Sequence, residues 1–208
     1  MNLQVWLAFI VASILISLSP GAGAISCMAS GMRYGLRRSL ANIAGMQLGL
    51  ALQLLVVGIG LGALLAASTL AFDMIKGCGV AYLCYLGWQQ FRAPDKPVEI
   101  GSQSQSSGSS RALAVQGFLV NASNPKATIF LLAVLPQFID PHLPALPQYL
   151  ICMATLTAVD IVVMSGYALF AARVLRLLRE PRQIRWMNRG FGMLFVLAGG
   201  FLALFRRA

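Results

Sequence analysis

Two ionisable residues stand in stretches that should not hold them: Lys126 in NPKATIFLLAV and Asp160 in TLTAVDIVVM. A charge kept among apolar neighbours is costly, and inside a membrane it is a functional candidate by default. Asp160 can hold an ammonium group, or take up and release a proton. Lys126 can share that proton pathway, pair with Asp160 as a structural ion pair, or extend its apolar stem toward the nearest aqueous surface. Gln47 and Gln53, with Asn42, are polar residues in a third apolar stretch. They line a polar path or bond helix to helix.

Two further motifs interrupt apolar runs. One is Ser19-Pro20-Gly21-Ala22-Gly23-Ala24, the other Asn124-Pro125-Lys126. Proline lacks an N–H and blocks the preceding turn; glycine permits backbone angles that other residues avoid. Each motif therefore predicts an unwound point followed by a fresh helix N-terminus, with unpaired N–H groups and the positive end of a dipole. Such an end seats a carboxylate or a lactone carbonyl. Ser19 and Asn124 are the candidate caps, and Lys126 is the second residue of its new helix.

The elements that must carry these residues follow from composition. The 208 residues are 58% hydrophobic and 11% charged, against roughly a quarter charged in soluble domains. Six apolar segments can be drawn, at about 3–28, 40–66, 69–91, 115–137, 147–172 and 187–205. Each is long enough to cross a ~30 Å hydrocarbon layer. No Lys or Arg precedes Arg33, so the first segment lacks the positive flank of a cleaved leader and reads as a membrane helix.

Most of the 16 Lys and Arg fall in alternate loops: Arg33, Arg37 and Arg38; Arg92, Lys96 and Arg111; and Arg173 to Arg189. This places loops 1, 3 and 5 in the cytoplasm. It also explains the net charge of +10 without a nucleic-acid partner. The tract GSQSQSSGSS at 101–110 is a flexible linker by composition. It divides one transmembrane domain, residues 1–208, into a first repeat (1–92), a linker (93–113) and a second repeat (114–208). Three spans per half is odd, so the two halves run in opposite directions. The breaks fall in the first span of each. Paired interruptions at matching positions point to a transporter's binding site. The predicted fold is thus an all-α membrane protein of six transmembrane helices, built as two inverted three-helix repeats with broken first helices.

Enzyme chemistry finds no support. His142 is the single histidine, and Asp160 is the single acid away from the end of a span, Asp73 lying near the outer surface. A metal site and a cofactor are not expected. Cys27, Cys78, Cys84 and Cys152 lie in apolar segments without a CxxC pair and read as small hydrophobes. Gly45, Gly49, Gly58 and Gly62, and again Gly190, Gly192, Gly199 and Gly200, read as close-packing faces, which allow a homodimer. Asp73 and Lys76, one turn apart, read as an exposed pair.

LSPGAGAI, GMRYGLRRSLANIAGMQLGL, GVAYLCYLGWQQFR and GFLVNASNPKATIFLLAVLPQFIDP together resemble the LysE/RhtB superfamily of amino-acid exporters, nearest its RhtB branch. The resemblance runs from about residue 1 to residue 205. It implies export of small amino acids across the bacterial inner membrane, with homoserine, its lactone or threonine as substrate, driven by proton antiport. An uncoupled facilitator, or an exporter of another neutral amino acid such as leucine, is the alternative. The family's P-G-P is here Pro20-Gly21-Ala22, its NPK motif is Asn124-Pro125-Lys126, and its span-five acid is Asp160. On this reading the substrate's carboxyl or lactone oxygen meets the backbone at Gly21–Ala24, and its ammonium meets Asp160.

Overall fold

The computed structural model describes residues 1–67, 69–94, 108–140, 142–171, 173–174 and 180–204. The elements are α1 (Leu3–Leu18), α2 (Ala22–Ala67), α3 (Thr69–Arg92), α4 (Ser110–Ala122), α5 (Pro125–Val134), a 3₁₀ turn (Leu135–Phe138), α6 (Ala145–Leu169) and α7 (Pro181–Leu204).

The boundaries have local causes. Asn2 caps α1, its Oδ1 accepting from the Val5 N–H at 2.9 Å. The helix stops at Ser19, which is extended, because the following proline disfavours helical angles in the residue before it. Ser123 and Asn124 separate α4 from α5, and the two helices meet at 51°. α2 is two helices joined at Gly35, whose φ of 73° and ψ of 171° suit glycine. The segment after Gly35 folds back along the segment before it. Asn42 Nδ2 donates to the Ser26 and Ser30 hydroxyls at 3.0 and 3.2 Å, and the Cys27 thiol meets the Met46 sulfur at 3.4 Å.

Three expected boundaries are corrected. Loop 1 shrinks to Gly35, with Arg33, Arg37 and Arg38 all helical. The fourth segment starts at Ser110 instead of 115. Arg182, Arg185 and Arg189, expected in loop 5, lie on α7, which begins at Pro181. The physical reason is common to all three. Hydropathy marks where a segment turns apolar, whereas a helix continues into water until a residue interrupts its backbone bonding. Residues 101–107 of the linker, and the side chains of Asp73, Lys76 and Gly62, lie outside the described residues.

Packing is inverted relative to a soluble protein. Leu3, Leu7, Val11, Ile14 and Leu18 form an exposed stripe on α1, and Leu48, Leu52, Leu55 and Ile59 another on α2. Meanwhile Ser13, Ser17, Asn42, Gln53, Asn121 and Asp160 are buried. Apolar faces outward and polar groups inward are what a hydrocarbon solvent selects. Two described helical stretches, Ala22–Gly60 and Ala145–Leu169, are long and apolar enough to cross a membrane, and the bent α4–α5 pair makes a third.

The helices exchange partners between the halves. α1 lies on α6, with the Trp6 indole N–H on Thr155 Oγ1 (3.0 Å), Ser17 on Asp160 and Tyr167 on Leu18. The second part of α2 lies on α4, with Gly45 against the Ala114 backbone and Gly49 against Phe118 and Ala122. In both pairs, higher numbers on one helix meet higher numbers on the other, so both run parallel. α3 packs on α7, where a Cβ on Gly192 would lie 2.9 Å from the Gly87 carbonyl oxygen. Gly190 and Gly200 face open space, so only part of that glycine set is a packing face.

A methyl group at Gly45 collides with the Ala114 backbone, whereas one at Gly60 meets nothing. Gly45→Ala is expected to cost roughly 1–3 kcal/mol, as overpacking does. The measurement is thermal melting of the detergent-solubilised protein, in which Gly60→Ala is expected to melt no lower than the parent.

Candidate functional site

The two chain breaks meet. Lys126, at the second position of α5, extends its Nζ to the Ser19 carbonyl oxygen at 2.9 Å. A Cβ on Gly21 would lie 3.7 Å from Lys126 Cδ. Asn124 caps α5 as its residue type predicts, with Oδ1 accepting from the Lys126 N–H at 3.1 Å and Pro125 in the first turn. Ser19 differs from expectation. It closes α1 instead of capping α2, with its N–H on the Leu15 carbonyl (3.1 Å) and its hydroxyl accepting from Gln90 Nε2 at 3.5 Å. The extended angles that Pro20 imposes carry the Ser19 side chain off the axis of the new helix.

Each break interrupts the regular helical bonding of the carbonyl groups beside it, and in an apolar interior a carbonyl left short needs a donor; at the second break the Asn121 and Asn124 carbonyls keep the Asn124 and Thr128 N–H groups as well. The donors come from the long helix of the opposite half. Tyr167 of α6 donates its hydroxyl to the Leu18 carbonyl at 2.6 Å. Gln53 of α2 places Nε2 at 2.9, 3.4 and 3.3 Å from the carbonyl oxygens of Asn121, Ala122 and Asn124, and at 2.8 Å from Thr128 Oγ1. Asn121 returns a bond from Nδ2 to the Met46 carbonyl at 2.8 Å.

Asp160 lies on α6 beside the first break and is 8% exposed. Its carboxylate accepts from Ser17 Oγ at 3.1 Å and from Gln47 Nε2 at 2.7 Å. Among the described residues no ion pair joins it to Lys126, which turns to Ser19 instead. The structural ion pair considered from the sequence is therefore not formed. Lys126 does not snorkel clear of the protein either, since its tip is tied to the first break. Gln47 keeps a buried Oε1 with no partner among the described atoms. The carboxylate, the Ser17 hydroxyl and this free amide oxygen make a cluster of acceptors with no described cation beside it.

Ser17 and Asp160 border a cavity of about 60 Å³, room for a few water-sized groups at ~10–15 Å³ each. Ser19, Gly21, Gly23 and Ala24 from the first break line it, with Asn124 and Lys126 from the second and Asp160 opposite. Pro20 and Pro125 line a separate, larger chamber. Gln47 reaches the site through Asp160, and Ala22 borders neither space. The first backbone bond of α2 runs from the Ile25 N–H to the Gly21 carbonyl at 3.0 Å. The N–H groups of residues 22–24 therefore have no partner within the helix. Gly23 and Ala24 are among the residues that line the cavity.

Two apolar cores enclose this polar layer. One gathers Val5, Phe9, Leu54 and Phe130 with their neighbours, and the other Met28, Ile43, Met164 and Ala168. Sequence reasoning missed Ser17, Asn121, Thr128 and Tyr167. Ser17 and Asn121 flank the breaks within two or three residues, a proximity that could have marked them; Tyr167 carries no local signal.

Residues 14–205 match the family described as LysE type translocator. The chain belongs to that family. This LysE type chain is 43% identical to the homoserine/homoserine lactone efflux protein of Salmonella typhimurium over the full length of both. It is 42% identical to that of Salmonella typhi, again over both full lengths. It is 26% identical to a leucine efflux protein of an Enterobacter species, covering 97% of this chain and 94% of the other. No solved structure matches it.

The closure of the breaks gives a paired prediction. Tyr167→Phe takes the one described donor from the Leu18 carbonyl and is expected to cost about 1–3 kcal/mol, the cost of leaving an acceptor unmet. Gln53→Leu removes a donor shared by the Asn121, Ala122 and Asn124 carbonyls and Thr128 Oγ1, but Asn121 and Asn124 keep the Asn124 and Thr128 N–H groups, so a smaller cost of about 0.5–1.5 kcal/mol is expected. Thermal melting in detergent reads both; parent-like melting of both variants would contradict the role of these side chains in closing the breaks.

Proposed function

We propose that this chain exports small amino acids, of the class of homoserine, its lactone and threonine, across a bacterial inner membrane in exchange for protons. The observation that carries the reading is that both chain breaks and Asp160 border one cavity. The names of the Salmonella relatives support the substrate class. The substrate ammonium takes the acceptor cluster of Asp160, Ser17 Oγ and Gln47 Oε1. Its carboxyl or lactone oxygen takes the free N–H groups of Gly23 and Ala24. Leu50, Leu131 and Leu156, which also line the cavity, enclose a short side chain.

Coupling follows from competition at a single carboxylate. Asp160 cannot hold a proton and bind an ammonium with full strength at once, so loading one expels the other. The protein is read as six spans in two inverted repeats within one domain, with loops 1, 3 and 5 cytoplasmic and access alternating around the cavity. The parallel pairings of α1 with α6 and of α2 with α4 support this reading, since an inverted two-fold exchanges them. A homodimer through unoccupied glycine faces is compatible with it.

The test is efflux of labelled L-homoserine from proteoliposomes. An imposed proton gradient is expected to accelerate export by the parent. Asp160→Asn is expected to abolish the gradient response and slow export about tenfold or more, since a charge-assisted bond is worth ~1.5–3 kcal/mol and each 1.4 kcal/mol is tenfold. Undiminished, gradient-driven efflux from Asp160→Asn would remove Asp160 from both roles. Export by the parent without any gradient response would make the protein a facilitator. Better tolerance of leucine than of homoserine in overexpressing cells would move the substrate class.

A further inference from the structure

A second chamber, of about 560 Å³, lies between α3, the α1–α2 break and α5. It is far larger than the inner cavity and falls in the 300–1,000 Å³ range of small-molecule sites. The two spaces share only Ser19 and Lys126 among their lining residues. At the boundary between them Lys126 Nζ meets the Ser19 carbonyl, and Gln90 Nε2 donates to Ser19 Oγ. Among the described residues, the charged groups on the chamber's lining are Arg92 and Lys126, both cationic, with no described acid beside them. Gln89, Gln90, Tyr82 and Tyr85 add hydrogen-bonding groups. The Arg92 guanidinium stands 4.4 Å over the Trp88 ring, a stacking that holds its planar fork in place.

We infer that this chamber is a receiving site for the carboxylate of a free amino acid, and that the arriving carboxylate takes Lys126 from the Ser19 carbonyl. A carbonyl is a neutral acceptor and a carboxylate a charged one, so the exchange favours the ligand. It also parts the contact at the boundary. The ammonium of the same molecule then reaches Asp160, while its carboxylate passes to the N–H groups at the start of α2. Cations at one end and an acceptor cluster at the other match the two ends of an amino-acid zwitterion. Homoserine lactone has no carboxylate and gains nothing from Arg92. The inference rests on the export reading above, and adds that the chamber loads free acids in preference to their lactones or esters, which enter without its help.

Trp88 supplies a readout that does not depend on transport. In a Trp6→Phe, Trp186→Phe background it is the only tryptophan left. The full-length protein is placed in nanodiscs of neutral lipid and titrated with L-homoserine, sodium acetate and L-homoserine lactone. A saturable change in Trp88 emission is expected with homoserine and acetate and not with the lactone, and Arg92→Gln is expected to weaken it about tenfold or more. Arg92 is exposed at the end of its helix, and the variant is expected to melt with the parent, the check that its fold is kept. An equal response to the lactone, or an undiminished response in Arg92→Gln, would overturn the inference. So would silence toward all three ligands. A second arm uses nanodiscs containing phosphatidylglycerol. The same titration is expected there; its loss would assign the chamber to an anionic lipid headgroup and overturn the amino-acid site. Failure of the Asp160→Asn efflux test would remove the export reading while leaving this titration standing, so the two failures are distinguishable.

Discussion

A polypeptide can break its helix inside an apolar layer only if other groups meet the backbone atoms that the break exposes. Everything around the two interruptions answers that constraint. Tyr167, Gln53 and Lys126 each spend a polar end on carbonyl oxygens at a break. The N–H groups of the second break are met in part by Asn124. Those at the start of α2 are not met within the helix, and Gly23 and Ala24 line the cavity. Satisfaction is thus unequal. The Leu18 and Ser19 carbonyls of the first break are met by side-chain donors, whereas the N–H groups that follow have no partner within their helix.

The closure is reciprocal, which shapes the rest of the fold. Each half supplies a broken helix, and each supplies the long helix that repairs the other's break. For α2 to reach the Asn121–Asn124 carbonyls with Gln53, it must lie against α4, and glycine at 45 and 49 permits that approach. For α6 to reach Leu18 with Tyr167, it must run along α1, which also brings Asp160 to Ser17. The acid of the site and the repair of the backbone therefore come from one helix in one placement.

Much of this was legible in the residues. Proline after serine or asparagine marks a break, and the Asn124 cap and the position of Lys126 follow from local chemistry alone. Asp160 stood out because a carboxylate among valines and isoleucines has few structural uses. Close packing at Gly45 and Gly49 was legible from their spacing. What sequence could not supply was pairing at a distance. Gln53 and Tyr167 look like any amide and any phenol in an apolar stretch, and only the fold shows which carbonyls they serve. The direction of Lys126, to Ser19 and away from Asp160, is likewise a matter of placement. Helix ends escaped for a different reason, since arginine-rich turns are good helix formers and polar enough to read as loops.

The repair of one half by the other bears on how the chain is made. When α1 and the start of α2 leave the ribosome, the donors for the Leu18 and Ser19 carbonyls do not yet exist. Lys126 follows Ser19 by 107 residues and Tyr167 follows Leu18 by 149. At 5–20 residues per second, the first break waits roughly 5–30 s for its partners. During that interval it needs water, the translocation machinery or headgroups as a substitute. A helix interrupted by proline and glycine, too short on either side to seal itself into lipid, is suited to staying near an aqueous surface until its other half arrives.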